Sequence, residues 1–409
     1  MSPFFQFLQE SPTAWHAAAA IGQRLEKKQF QRLKEQDRWS LAPGKSYFVE
    51  REGSLLAAFT LPSNTPEEAV LVASHTDSPS LKIKPHPNLA TKEISQLLTE
   101  IYGGPLLHAW LDRDLAIAGR IVTDRGSHLI HLQEYPLIIP ELAIHLDRTI
   151  HEKGILVHKQ DHLKPVLSLR SATLEEALKK KLSFDKLYAF DLFLVPLDPP
   201  KTLGLDHEMI GGYRLDNMSS AYACLEAIIS AQKHSNRIQM ALFWDHEEIG
   251  SETSTGAGSH FVDQLLDRIG SSTHREDFYR LKSRSLVLSV DVAHGWNPNY
   301  PDKYDPQNSS LLGKGVALKF NAGKKYASDA ESAARLLKLA EKHHIPIQQG
   351  ANRSDLPSGS TVGPIMSANT GIPTLDIGIS CWAMHSTREI ISKTDLEQLT
   401  KLLQLCLEE

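Results

Sequence analysis

Short runs of consecutive apolar residues, each followed at once by polar residues, recur in both the first and the last part of the chain. Runs that are apolar on both faces are typical of central strands in a parallel sheet. The carboxyl ends of such strands meet at one edge, so we predict that polar side chains gather there. The junctions are 69–73 before His75 and Asp77, 238–243 before Glu247 and Glu248, 286–290 before Asp291, and 373–377 before His385.

Apolar residues at helical spacing lie between these runs. Trp15, Ala18 and Ile21 predict an amphipathic helix after Ser11 and Pro12. Further helices are predicted at 217–232, 258–269, 328–343 and 395–407, the last with Thr394 and Glu397 as a capping box. Because strands and helices alternate, we predict an α/β fold with a mostly parallel sheet.

The segment 85–206 has a different pattern, with short strands and little helix. Its strands are predicted at 115–122, 129–132, 154–157, 166–169 and 188–195. We predict a β-rich domain, 85–206, inserted into a catalytic domain formed by 1–84 and 207–409. Two domains also fit a length of 409 residues, because one hydrophobic core stops growing at about 250–300 residues.

Composition limits the kinds of partner that the protein is expected to bind and the cellular compartment in which it is expected to occur. The net charge is −5, from 44 Lys and Arg against 49 Asp and Glu, which predicts no nucleic-acid partner. There is no apolar run of about 18 residues and no recognisable signal segment, so we predict no membrane partner. Three cysteines without a CxxC pattern favour neither a disulfide framework nor a thiolate zinc site. A cytoplasmic location is therefore predicted.

Each candidate site residue has a plain structural alternative when it is considered alone. His75 and Asp77 could be a hydrogen-bonded pair at a strand end, and Asp216 could be a helix N-cap. Glu247 and Glu248 are harder to explain structurally. Adjacent acids at a buried strand end repel each other unless cations neutralise them, and one glutamate could bind a metal while the other accepts a proton from water.

The candidates carry more weight as a set. Imidazole and carboxylate ligands without thiolate suit zinc, with manganese or cobalt as alternatives. Two histidines and three carboxylates are enough for two divalent ions, which a bridging carboxylate could hold about 3.5–4 Å apart. The set is His75, Asp216, one of Glu247 and Glu248, Asp291, and His385.

Across nearly its whole length the sequence resembles the M18 family of metalloaminopeptidases, the aspartyl aminopeptidase group. The matching segments are 74–79, Tyr102-Gly103-Gly104, 110–114, 142–146, Arg214-Leu215-Asp216-Asn217, 246–251, 291–294, 297–300, 383–386 and Arg388-Glu389.

The resemblance implies a role for each candidate. His75, Glu248, Asp291 and His385 would ligate two cations that Asp216 bridges. Glu247 would be the general base, and Asp77 would orient His75.

The resemblance also implies residues that bind substrate. His145 would reach the active site of a neighbouring subunit and help to bind the reacting carbonyl, which implies a homodimer. The family assembles such dimers into a tetrahedral dodecamer. Lys319 and Tyr326 match segments near the family's substrate pocket, where a lysine can pair with an acidic first side chain. The alternative for Lys319 is a solvated lysine at a strand edge.

The predicted function is that of a metalloaminopeptidase. It would hydrolyse the N-terminal residue, with Asp and Glu as candidates, from peptides that have a free N-terminus. One alternative is a related two-metal carboxypeptidase or deacylase, and another is a scaffold protein that has lost catalysis. The presence of Glu247 beside a full set of ligands argues against the scaffold.

Overall fold

The largest sheet of the computed structural model, which describes residues 2–270 and 274–409, has nine strands. Five of its eight neighbouring pairs are parallel, including both pairs made by the strand that ends at His75. This confirms the predicted α/β fold with a mostly parallel sheet. In spatial order the strands are Gln31–Leu33, Ser46–Arg51, Leu55–Thr60, Arg237–Trp244, Glu68–His75, Leu286–Val290, Thr374–Gly378, Val316–Lys319 and Ile347–Gly350.

Two apolar cores lie against this sheet. One contains Leu399 of the last helix together with Val70 and Val72, and the other contains Leu71 and Leu265. Since side chains alternate between the two faces of a strand, consecutive apolar residues such as Val70 and Leu71 serve both cores. The helices are Pro3–Glu10, Ala14–Lys27, Ile150–Lys153, Leu174–Lys179, Leu215–Ser230, Phe261–Ile269, Arg275–Arg284, Ala330–Lys342, Val362–Thr370 and Lys393–Glu408.

A second sheet of six antiparallel strands has its own apolar core. All its strands lie between Ser80 and Pro196, so two parts of the large sheet flank it in sequence. The domain boundaries at 85 and 206 stay a prediction. In spatial order the strands are Gly126–His131, Leu115–Thr123, Leu187–Pro196, Ser80–Thr91, Ile94–Tyr102 and Val166–Ser168. A smaller sheet has the strands Lys201–Leu203, Met209–Gly212, Glu389–Ser392, Ser380–Trp382 and Ala293–His294.

The strand predicted at 154–157 is wrong. The segment is a loop that follows the short helix Ile150–Lys153. Gly154 ends that helix with a φ of 76°, and Leu156 is 91% exposed. The run was apolar enough for a strand, but the fold places no neighbouring strand beside it.

The capping box predicted for the last helix is also wrong. The helix begins at Lys393, and the hydroxyl of Ser392 accepts a hydrogen bond from the backbone N–H of Asp395 at 3.3 Å. The Asp395 carboxylate accepts instead from the backbone N–H groups of Gly313 and Gly315, at 2.7 and 2.8 Å. The N-cap is thus Ser392 and not Thr394, and the acidic side chain in the first turn binds backbone groups distant in sequence.

Among residues 2–270 and 274–409, no helix combines the length and the apolar character that crossing a bilayer requires.

Replacing Leu399 by Ala should lower the free energy of unfolding by about 2–5 kcal/mol, because a fully buried leucine leaves a cavity when it is shortened. The control is Lys401→Ala on the exposed side of the same helix, which should change stability by less than about 0.5 kcal/mol. Urea unfolding followed by circular dichroism measures both. Equal effects of the two changes would contradict the packing described for this helix.

Candidate metal centre

The register of two parallel strands brings the first candidates together. His75 and Trp244 are paired residues at the carboxyl ends of neighbouring strands, and the Thr76 N–H donates to the Trp244 carbonyl at 2.8 Å. The residues that follow each strand therefore leave the sheet side by side. As a result Asp77 lies against Glu247 and Glu248.

The other candidates reach the same place from neighbouring elements. Asp291 follows the strand on the other side of His75, and its N–H donates to the Ile377 carbonyl at 2.9 Å. Asp216 lies at the start of the helix Leu215–Ser230, where its peptide bond to Asn217 is cis. Its carbonyl accepts a hydrogen bond from the Ser78 hydroxyl at 2.8 Å.

Asp216 is central because each of its carboxylate oxygens faces a different histidine. Oδ1 lies 3.5 Å from His75 Nε2, and Oδ2 lies 3.2 Å from His385 Nε2. A second carboxylate accompanies each histidine. Asp291 Oδ1 is 3.6 Å from His75 Nε2, and Glu248 Oε2 is 3.4 Å from His385 Nε2.

These distances and the unpaired oxygens fit metal ligation. Two ligand atoms at about 2.1 Å from a tetrahedral zinc ion lie about 3.4 Å apart. Within the described residues, Asp216 Oδ1 and Glu248 Oε1 are buried and have no hydrogen-bond partner, although a buried acceptor normally has one. His75, Asp216 and Glu248 each offer a ligand atom within 4.8 Å of the other two.

The pKa shifts show an excess of negative charge in this pocket. Burial and the nearby charge of Asp216 raise the pKa of Glu248 well above its usual range. Burial lowers the pKa of His385, but the contacts with Asp216 and Glu248 outweigh it and raise that pKa to about 10. Likewise, contacts with Asp291 and Asp77 outweigh burial and hold the pKa of His75 well above its usual range. Divalent cations would relieve this charge.

Glu247 lies close to His75 but belongs to neither of the two pairs that face Asp216, which are His75 with Asp291 and His385 with Glu248. Its Oε2 is 3.9 Å from His75 Nε2, the longest of the distances from that nitrogen. Burial raises the pKa of Glu247 to about 8, and the charges of Asp291, Asp77 and Asp216 act in the same direction. A carboxylate with a pKa near neutrality is suited to exchange protons with water.

The Asp77 side chain is fixed by contacts with four neighbouring groups. Its Oδ1 lies 3.3 Å from His75 Nδ1, and its two oxygens accept the backbone N–H groups of Glu247 and Glu248 at 3.1 Å each. The Tyr102 hydroxyl donates to Oδ2 at 2.7 Å. Contacts with His75 and Tyr102 outweigh burial, so the pKa of Asp77 lies below its usual range.

Lys319 and Tyr326 line a cavity of about 200 Å³ together with Ala293 and His294, which follow Asp291 closely in the chain. Lys319 is only 4% exposed, so the alternative that it is a solvated lysine at a strand edge is wrong. Its ammonium donates to the carbonyls of Asp291 and Val292 at 2.9 and 3.2 Å and lies 5.0 Å from the centre of the Tyr326 ring. These two carbonyls therefore use two of the three donors of the ammonium.

His145 is the one candidate that a single chain does not bring to the centre. It lies on an exposed turn of the segment between the strands of the six-stranded sheet. In the part of the chain that the structure describes, it makes no ion pair with the other candidates.

Glu389 was missed as a functional candidate. It is fully buried, and its carboxylate accepts the backbone N–H of Asp216 at 2.9 Å and that of His385 at 2.7 Å. It therefore fixes the main chain at Asp216 and at His385, whose side chains face each other in the site. The only sequence signal was its place in the Arg388-Glu389 pair, and the sequence alone could not show which backbone groups it would meet.

Comparison with known proteins gives the same family throughout. The profile of the family described as aminopeptidase I zinc metalloprotease (M18) matches residues 7–405. A probable M18 family aminopeptidase 2 from Pseudomonas savastanoi pv. phaseolicola is 37% identical over 413 residues, which cover 97% of this chain and 95% of that protein.

Solved structures agree with the sequence comparison. An M18 family aminopeptidase from Thermotoga maritima has a TM-score of 0.88 and 26% identity, covering 99% of this chain and 95% of its own. The mApe1 dodecamer of S. cerevisiae has a TM-score of 0.85 and 25% identity, covering 98% and 94%. The profile match over nearly the whole length shows that this chain belongs to the M18 family of aminopeptidases, and it is a metal-dependent peptide hydrolase.

Proposed function

We propose that two divalent cations, zinc in the first instance with manganese or cobalt as alternatives, bind on either side of Asp216. One position lies between His75, Asp216 and Asp291. The other lies between Asp216, Glu248 and His385. The observation that carries the proposal is that each oxygen of the Asp216 carboxylate faces a separate pair of histidine and carboxylate. A carboxylate with this arrangement can bridge two ions.

Glu247 is the proposed general base. When bound, the two cations lower the pKa of a water molecule and polarise the carbonyl of the peptide bond. Glu247 takes the proton of the attacking water and later delivers it to the departing amine. Its position outside both ligand groups leaves its carboxylate free for this task, and Asp77 fixes its backbone.

The preference for the first peptide bond is assigned to the metal centre and to the cavity near it. One of the proposed cations would anchor the free α-amino group of the substrate. The cavity lined by Lys319 and Tyr326 accepts the first side chain. The ammonium group of Lys319 in this cavity favours Asp or Glu as the residue removed. The proposed substrates are peptides that have a free N-terminus.

A homo-oligomer is the proposed working form, with dimers assembled into a tetrahedral dodecamer, and the yeast relative is itself described as a dodecamer. Large apolar side chains on both sides of His145 are exposed, with Leu142 at 54% and Leu146 at 74%. Exposed apolar surface of this kind marks interfaces. His145 would then reach the reacting carbonyl in a neighbouring subunit. The three cysteines are free and buried, which suits the proposed cytoplasmic location.

Glu247→Gln should reduce turnover by about 10²-fold to 10⁴-fold, the contribution of a positioned acid–base group, and should leave the zinc content unchanged. Asp216→Asn is the matched comparison, because it should lower the zinc content as well as the activity. Elemental analysis after dialysis and a peptide-hydrolysis assay measure the two quantities. Full activity of Glu247→Gln would refute its role as the base.

Lys319→Met should lower the ratio of kcat/KM for Asp and Glu substrates to kcat/KM for Ala and Leu substrates. A drop of tenfold to a hundredfold corresponds to about 1.5–3 kcal/mol for a hydrogen bond to a charged group. Lys314→Met, at an exposed position, should keep the ratio of the native protein. An unchanged ratio in Lys319→Met would remove Lys319 from substrate selection.

The same peptides with acetylated N-termini separate the proposed function from its alternatives. An aminopeptidase leaves them intact, whereas a carboxypeptidase cleaves them from the other end and a deacylase removes the acetyl group.

His145→Ala and Glu247→Gln should each be impaired alone, yet co-expression of the two variants should restore part of the activity. In a mixed dimer, a subunit with native Glu247 receives native His145 from its neighbour. Co-expression of Glu247→Gln with Asp216→Asn is the control, because every site then keeps a lesion. Assembled mixtures of the first pair that stay inactive would show that His145 does not act across subunits.

A further inference from the structure

We propose that Tyr102, Gly103 and Gly104 form a positioning segment that aligns both histidines of the metal centre. The segment ends one strand of the six-stranded sheet. The proposal rests on the two-cation function proposed above. It adds to that function a segment of the chain that lies outside the large sheet. Two hydrogen-bonded arms leave this segment, and a glycine joins them.

The first arm runs through Asp77 to His75. The Tyr102 hydroxyl donates to Asp77 Oδ2 at 2.7 Å, and His75 Nδ1 lies 3.2 Å from the main-chain carbonyl of Asp77 and 3.3 Å from Asp77 Oδ1. A carbonyl or carboxylate oxygen can only accept, so Nδ1 carries a hydrogen, and Nε2 is the nitrogen that can offer a lone pair to a cation once its own proton is displaced. Nε2 is the atom that faces Asp216 and Asp291. The phenol keeps the carboxylate from turning away from the imidazole.

The second arm runs through the main chain to His385. His385 Nδ1 is 3.1 Å from the Gly104 carbonyl oxygen, which again can only accept. His385 Nε2 is thereby left free to face Asp216 and Glu248. The Leu106 N–H donates to the His385 carbonyl at 2.9 Å, so the loop holds both the ring and the backbone of this residue.

Gly103 lets the two arms reach their targets from one short segment. Its φ of +68° is a conformation that side-chain-bearing residues rarely adopt. A Cβ at this position would also lie 3.2 Å from Glu248 Cβ and 3.4 Å from Pro79 Cα. Glycine therefore serves both the turn and the close approach to the centre.

The segment is itself fixed by the six-stranded sheet. Tyr102 pairs with Ser80 on the neighbouring strand, and its ring packs edge-on against Phe193 of a third strand, with centroids 5.4 Å apart. The ring therefore cannot follow Asp77 if the carboxylate moves. This rigidity is what a residue that orients another one requires.

Tyr102→Phe tests the first arm, because it removes only the hydroxyl. The zinc dissociation constant, measured by competition with a chelator, should rise about 10-fold to 100-fold, the usual loss when a group behind a metal ligand is removed. The value of kcat should fall while KM changes little. Tyr213→Phe is the matched control. Its hydroxyl also donates at 2.7 Å, but to the Pro79 carbonyl, so its zinc affinity should stay that of the native protein.

Gly103→Ala tests the junction of the two arms, with Gly44→Ala as its control. Gly44 has a φ of +70° and open space around its Cβ position, so it carries the same backbone strain away from the centre. Both variants should lower the melting temperature of the metal-free protein, but only Gly103→Ala should weaken zinc binding.

Native zinc affinity in a folded Tyr102→Phe, or equal zinc affinities in the two glycine variants, would overturn the positioning role. A native protein that binds no zinc and releases no N-terminal residue would instead overturn the function proposed above.

Discussion

The crowding of carboxylates around Asp216 is the constraint on which the site depends. Asp216, Glu247, Glu248 and Asp291 approach two imidazoles within a few ångströms, and their side chains are at most 15% exposed. Like charges in a medium of low polarity repel strongly. Such an arrangement is stable only if protons or cations are taken up, and the raised pKa values of Glu247 and Glu248 show the tendency to take up protons. Bound cations satisfy the same need and keep the carboxylates ionised.

The parallel sheet explains how residues so distant in sequence come to share one pocket. His75, Glu248 and Asp291 follow three strands that are neighbours in the sheet, and the carboxyl ends of parallel strands point in the same direction. The two remaining facing side chains, Asp216 and His385, are placed by the buried carboxylate of Glu389. Strand register therefore fixes one half of the centre, and a side-chain contact to the backbone fixes the other half.

Strand register and the contacts of side chains with a distant backbone differ in how well they can be predicted from a sequence. An apolar run that stops at a histidine or an acid is a local pattern, so the strand ends, the α/β fold and the candidate residues could all be predicted. Glu389 and Gly104 act through partners more than a hundred positions away, apart from the short step from Glu389 to His385, and Tyr102 acts through Asp77, 25 positions before it. No local pattern reports such partners. The same reason explains the two errors in the fold, since 154–157 lacked a neighbouring strand and Asp395 found its partners in the loop at Gly313.

The six-stranded sheet is inserted into the chain directly beside the candidate metal centre. Its first strand begins at Ser80, only three residues after Asp77, and the Ser80 hydroxyl donates to the Leu194 carbonyl within the same sheet at 2.7 Å. The chain thus passes from the metal centre into the second sheet without a flexible linker. The strand that pairs with it returns to the centre at Tyr102. Asp77 is consequently held by its own strand on one side and by the second sheet on the other. The six-stranded sheet, from which the surface with His145 extends, is thus connected to His75 of the centre through the contacts of Tyr102 and Asp77.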